Sequence, residues 1–267
     1  ETQDFIEFVR NLSGNDADLV QPIVTPRFIP SCSHAALLEL GRVADQMDCR
    51  VQTHCSEGDW EHQFVHQRYG QSDTTALAEL GLLQRGSVLA HCNFASPTDM
   101  EIMKGALTGI AHCPISNAYF ANSVFPLRQA LDIGVSVGMG TDISGGPSPS
   151  IFENARFAIA ASRMLEEGVD PETASASRGH PDSRIDFREA LWVATAGGAE
   201  VLDIPVGKFE KGRYFDAILV DHHQATDRAA FSNSTTSGED FVQELIYNVS
   251  QSDISRVWVN GRLTLNS

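Results

Sequence analysis

Positive charge is scarce in this sequence: 19 Lys and Arg stand against 35 Asp and Glu, giving a net charge of −16 at pH 7. A duplex nucleic-acid partner needs a basic patch to meet its phosphates, so that class is excluded, and small neutral or cationic targets are expected instead. No apolar run approaches the ~20 residues needed to cross a bilayer, so no membrane partner is expected. The opening "ETQDFIEFVRNLSG" is acidic and amphipathic, unlike a secretory signal. It also lacks an initiator Met, which reads as a trimmed or incomplete chain. The cysteines Cys32, Cys49, Cys55, Cys92 and Cys113 include no CxxC pair. A disulfide framework and a zinc ribbon are therefore not implied, and a reducing cytoplasm fits best. What the chain does have is length: 267 residues at 42% apolar content can bury a substantial core in one or two domains.

Five short β-branched or apolar runs each end in polar residues: "PIVTPR" (22–27), "CRVQTH" (49–54), "GSVLAH" (86–91), "TGIAHC" (108–113) and "VSVGMGTD" (135–142). Helical patterns lie between them. "SHAALLELGRVADQM" (33–47) has apolar spacing near 3.6 with Ser33 as N-cap, and "SPTDMEIMKGAL" (96–107) opens with Ser96 and Pro97. "FPLRQALDIG" (125–134) and "SIFENARFAIAASRMLEEG" (150–168) both stop at glycine. Alternating strands and helices predict parallel strands with crossover helices. Beyond Asp142 the pattern changes. "DFREALWVATAGGAEVL" (186–202) reads as a helix, and "FDAILVD" (215–221) and "RVWVNGRL" (256–263) read as strands with a turn at Asn260-Gly261. The polar stretch 222–240 between those strands reads as a surface loop.

Arg27, His54, His91, His112 and Asp142 stand at or just beyond the C-terminal ends of successive strands, and in a parallel sheet or barrel all such ends open on one ligand-binding face. Two imidazoles and a carboxylate converging there form a metal-ligand set suited to Zn²⁺ or Fe²⁺ rather than Mg²⁺ or Ca²⁺. Taken singly, each histidine could be an ordinary polar or packing residue; repetition at consecutive strand ends favours ligands for His54 and His91. His112 carries less weight, because "HCP" could simply shape the turn before Ser116 and Asn117. Asp142 lies among glycines that let the backbone approach a bound group, with a turn residue as the alternative. Glu57 either caps the next helix or holds a carboxylate over the metal, where it could move protons. Arg27 is either a surface charge or, after the rigid Pro26, a fork of donors for a planar ligand. Strand alternation turns Cys55 and Cys92 away from the metal side, as small buried residues. His34, His62, His66, His180, His222 and His223 are given no role.

Taken together, "TPRF" (25–28), "THCSE" (53–57), "LAHC" (89–92), "AHCPISN" (111–117) and "GMGTDISGG" (138–146) resemble the amidohydrolase superfamily, and within it the guanine deaminase branch. The likeness runs from about Pro22 to Asp221. Ile115 replaces the Asn or Leu often found at that place, a mild departure. The resemblance implies that His54 binds zinc and that Asp142 is a ligand that also takes a proton from water. His91 would hold that water or the tetrahedral adduct, and Glu57 would protonate a ring nitrogen and pass a proton to leaving ammonia. Arg27, with the backbone around Phe28, would read the purine, and His54 and Glu57 would also touch it. A homodimer is implied by analogy. The cytidine deaminase design, built on HxE and PCxxC, is excluded by the lack of CxxC.

The family takes two further metal ligands from an HxH pair on the first barrel strand, and no HxH occurs in this sequence. The fold expected is therefore α/β: a partial (β/α)8 TIM-type barrel, about strands 4–8, over residues 1–203, followed by part of a small β-sandwich over residues 204–267. "DFIEFVRNL" reads as the last helix of the preceding unit. A truncated gene record is the favoured explanation, ahead of completion by another chain or a degenerate fragment. The function expected is metal-dependent deamination of guanine to xanthine and ammonia, with inactivity of the shortened chain envisaged. The alternatives are another aminated or chlorinated heterocycle (8-oxoguanine, a pterin, a triazine) or a non-catalytic fragment.

Overall fold

Four runs of three or four residues, each rich in Val, Ile, Ala or small residues, build a parallel sheet in a computed structural model that describes residues 1–15, 19–221 and 237–266. Its strands are β1 (Gln52–Cys55), β2 (Val88–His91), β3 (Gly109–His112) and β4 (Val137–Met139), in chain order. Neighbours pair in register, with His54 beside Ala90, Ala90 beside Ala111, and Ala111 beside Gly138. Val51, Leu89, Ile110 and Val137 enter one hydrophobic core together with helix residues such as Leu37, Val43, Leu77 and Met100. That core fixes where the strand ends open.

The stretch expected as a first strand, 22–27, forms only a single parallel bridge, Val24 to Val51. Pro22 and Pro26 have no N–H to donate, so the ladder cannot extend across them. The segment still runs beside β1: Gln52 N–H donates to Val24 O at 2.9 Å and His54 N–H to Arg27 O at 3.0 Å.

The helices follow local signals. After α1 (Thr2–Arg10), α2 (His34–Gln46) starts where Ser33 accepts a hydrogen bond from Ala36 N–H. Two further helices lie between β1 and β2, α3 (Asp59–Tyr69) and α4 (Asp73–Glu79). Ser96 and Asp99 close a capping box on α5 (Pro97–Gly105). The single turn α6 (Pro114–Ser116) runs into a π-type turn, Asn117–Ala121. Both α7 (Leu127–Ile133) and α8 (Ile151–Glu167) end at glycines of positive φ, Gly134 and Gly168. The short α9 (Ser175–Arg178) follows.

The expected helix 186–202 is built as α10 (Phe187–Trp192), a π-type turn over Val193–Gly197, and α11 (Gly198–Leu202). It lies close against the sheet: a Cβ on Gly138 would come within 2.8 Å of Gly198 Cα.

A second, antiparallel sheet joins β5 (Ala217–Val220), β6 (Ile254–Val259) and β7 (Arg262–Asn266) in that order, with the expected turn at Asn260 and Gly261, both of positive φ. Residues 222–236, His222 and His223 among them, lie outside the described residues. The end of the stretch expected as a loop is helical. Ser237 caps a helix, α12 (Gly238–Asn248), which packs on α8 and α10. Arg156 of α8 secures its end by donating to Tyr247 O and Val249 O at 2.7 and 3.2 Å. Among the described residues, no helix is long and apolar enough to cross a membrane.

Candidate active site

At the C-terminal ends of β1 and β2, one ligand atom each from His54, Glu57 and His91 lies within 4.8 Å of the other two. The pleat alone would not produce this. Cys55, not His54, is registered with His91, so simple alternation sends the two imidazoles to opposite faces of the sheet. His91 escapes that rule because it takes φ +74, with Cys92 following at +55. Left-handed backbone at a residue with a side chain costs of order 1–3 kcal/mol and is concentrated at functional sites. Here it turns the ring of His91 to within 5.3 Å of the ring of His54, centroid to centroid.

Each histidine has one nitrogen tied off and the other left open. His54 Nδ1 lies 2.7 Å from Arg27 O, which can only accept, so the proton sits on Nδ1 and the Nε2 lone pair is free. His91 Nδ1 lies 2.8 Å from Asn117 Oδ1, which gives the same tautomer. His91 is fully buried, and its Nε2 has no hydrogen-bond partner among the described residues. That nitrogen stands 3.9 Å from Glu57 Oε1. A buried, unpartnered imidazole nitrogen beside a second free imidazole nitrogen and a carboxylate is a donor set that fits Zn²⁺ or Fe²⁺, and the partners on the far nitrogens are those expected around a metal-binding histidine.

Asp142 stands apart from this trio. Its Oδ2 accepts a 2.5 Å hydrogen bond from Ser116 Oγ, and its backbone takes φ +52. His112 is buried against Phe125, with ring centroids 5.2 Å apart, and its Nδ1 makes no hydrogen bond among the described residues. Burial, then the nearby His91, pushes the His112 pKa down to about 3, so the ring is neutral. Arg27 is exposed, with its guanidinium 4.8 Å above the ring of Phe28. Phe28 in turn lies 6.0 Å from the rings of both His54 and Trp60. Cys55 and Cys92 are buried in the hydrophobic core, but the strand register puts them on opposite faces by simple alternation, so it is the positive φ of His91 and Cys92 that accounts for both being turned from the site.

Several working parts went unread in the sequence. The carbonyl of Arg27, rather than its side chain, orients His54, and Asn117 orients His91. "HCPISN" carried that asparagine in plain sight. Behind Glu57 lies a buried acidic pair: Glu61 accepts from Glu57 N–H, and Asp73 holds Ser56 N–H and His62 Nδ1. Burial raises the Glu61 pKa to about 8, with the charges of Asp73 and Glu57 adding to the effect.

The amidohydrolase family profile matches residues 2–264, and the chain belongs to that family. It is a guanine deaminase-like member. It is 34% identical over 250 residues to a probable guanine deaminase of Schizosaccharomyces pombe, covering 92% of this chain and 46% of that protein. To the guanine deaminase of Dictyostelium discoideum it is 32% identical, over 96% of this chain and 55% of the relative. The crystal structure of a guanine deaminase from C. acetobutylicum with bound guanine superposes with a TM-score of 0.83 at 27% identity, covering 98% of this chain and 58% of that one. The chain thus spans about half the length of the relatives it matches.

Proposed function

We propose that these residues serve the hydrolytic deamination of guanine, in which guanine and water give xanthine and ammonia. The observation that carries this reading is the trio of His54, Glu57 and His91, with both Nδ1 atoms tied off and a buried, unpartnered nitrogen on His91. Its identity to guanine deaminases over nearly the whole chain supports guanine as the substrate.

His54 would hold a divalent ion, Zn²⁺ with Fe²⁺ as the alternative, and Asp142 would be a second ligand from this chain. Zinc, when bound, lowers the pKa of water from 15.7 toward ~7 and so supplies hydroxide at neutral pH. Replacing the ring-bound NH₂ needs a proton on the adjacent nitrogen, and Glu57 is the carboxyl positioned to bring it and then to pass a proton to leaving ammonia. His91, whose Nε2 lies 3.9 Å from Glu57 Oε1, would hold the attacking water or the tetrahedral adduct. Asp142 takes the proton that water gives up. Arg27 and Phe28 bind the purine, the guanidinium as a donor fork and the ring as an apolar wall.

The parallel sheet is proposed as strands of a (β/α)8 barrel within residues 1–203, and β5–β7 as part of a small β-sandwich within residues 204–267. The separation of a parallel sheet, β1–β4, from an antiparallel sheet, β5–β7, is what supports this division. All five cysteines are free thiols, in keeping with a reducing cytoplasm.

The test is ammonia release from guanine by the metal-supplemented protein, with a triazine as the control. Xanthine and ammonia in equal amounts support the reading. Turnover of the triazine with none of guanine overturns it.

A further inference from the structure

Glu57 sits in a turn between β1 and α3 that has no ladder or helix to hold it. The residue before it, Ser56, takes φ +48, and the helix begins only at Asp59. Three backbone groups in this turn each find a buried side chain from a different place in the fold. Ser56 N–H donates to Asp73 Oδ1 at 3.3 Å, Glu57 N–H donates to Glu61 Oε2 at 2.9 Å, and Glu57 O accepts from Asn93 Nδ2 at 2.8 Å. Relative exposures are 0% for Asp73, 3% for Glu61 and 7% for Asn93.

A carboxylate at the third position of a helix ordinarily reaches back to the N-cap N–H. In α3 the N-cap is Gly58, and Glu61 passes it by to bond the residue that carries the acid. Among the described residues, burying Glu61 leaves its Oε1 without a hydrogen bond, a cost that an ordinary cap on the surface would not incur. Asn93 Oδ1 likewise has no partner among the described residues, while the amide nitrogen is spent on Glu57.

We infer that Glu61 and Asn93 are positioning residues that clamp Glu57 by its own N–H and C=O, so that its carboxyl stays at His91 Nε2. The inference rests on the deaminase reading for its kinetic consequence, but the clamp is testable by itself. A displacement of about 1 Å at a proton-transferring group costs about 10²-fold in rate.

The experiment measures amide hydrogen exchange at Glu57 in the wild-type chain, Glu61→Ala and Glu61→Gln, alongside kcat and KM for guanine. Glu61→Ala is expected to speed exchange at Glu57 by about tenfold or more, since a lost buried hydrogen bond is worth about that factor. Exchange at Leu89 and Ile110 in the sheet should stay unchanged. In the same variant kcat should fall by about 10–100-fold with KM nearly constant. Glu61→Gln keeps an acceptor and should restore both. Asn93→Leu, which releases the carbonyl from the opposite side, should lower kcat and loosen the Glu57 amide even if Glu61→Ala weakens the whole sheet. Unchanged Glu57 exchange in both Glu61→Ala and Asn93→Leu overturns the clamp, and so does failure of Glu61→Gln to rescue. A wild-type protein that never deaminates guanine counts against the deaminase reading alone, because the exchange measurements still decide the clamp.

Discussion

At the scale of residues, the site works by denying each histidine a choice. Arg27 O and Asn117 Oδ1 fix both protons on Nδ1, and the two Nε2 atoms face the space beside Glu57. Replacing Asn117 by Leu removes the acceptor, frees the His91 tautomer, and should lower ammonia release from guanine by about 10–100-fold. Steady-state kinetics of the variant check this, and a wild-type rate would remove Asn117 from the site's machinery. His112 offers a separate test. The folded chain keeps it neutral down to about 3, whereas the unfolded chain protonates it near 6.5. Its contribution to stability is therefore complete above pH 6.5 and is lost as pH falls toward 3. The stability difference between wild type and His112→Phe should drift against wild type by up to about 1.4 kcal/mol per pH unit through that window. Parallel denaturation curves between pH 6.5 and 4 would contradict the buried, neutral assignment.

At the scale of elements, caps and close approaches decide where helices lie. Asp186 accepts from Arg188 and Glu189 N–H at 2.8 and 3.1 Å, while Glu189 accepts from Asp186 N–H at 2.9 Å, closing a capping box. Asp186→Ala should lower unfolding free energy by about 1 kcal/mol in urea denaturation. Gly138 meets the backbone of Gly198, so Gly138→Ala should cost about 1–3 kcal/mol through overpacking, with little relief from rotamers. Much of this scale was legible. Ser33, Ser96, Gly134, Gly168 and Asn260-Gly261 marked true boundaries because caps and tight turns depend on the residues at hand. The helix α12 was also signalled, by Ser237 three residues before Asp240, but the polar stretch ahead of it masked the cue. The strand at 22–27 was overread, since its apolar pattern is real while its prolines prevent the ladder.

At the scale of the whole molecule, strand ends bring distant residues together, and here the sequence was informative in part. His54 and His91 could be named from repetition at successive strand ends. Their meeting depends on the positive φ of His91, which no pattern announces. Arg27 and Phe28 were expected at this face; the Arg27 guanidinium lies 4.8 Å above the Phe28 ring, which is 6.0 Å from that of His54. Asp142 was expected beside the histidines, and in this structure its carboxylate is engaged with Ser116. The clamp on Glu57 was beyond reach of the sequence, because Glu61, Asp73 and Asn93 come from α3, α4 and the loop after β2. The proposed deamination of guanine depends above all on Glu57 as its acid. The direct measurement is ammonia release from guanine by zinc-supplemented wild type and Glu57→Gln, with zinc content determined for both. Equal zinc loading and a kcat lower by about 10²–10⁴-fold in the variant are expected. Undiminished ammonia release by Glu57→Gln would contradict that role.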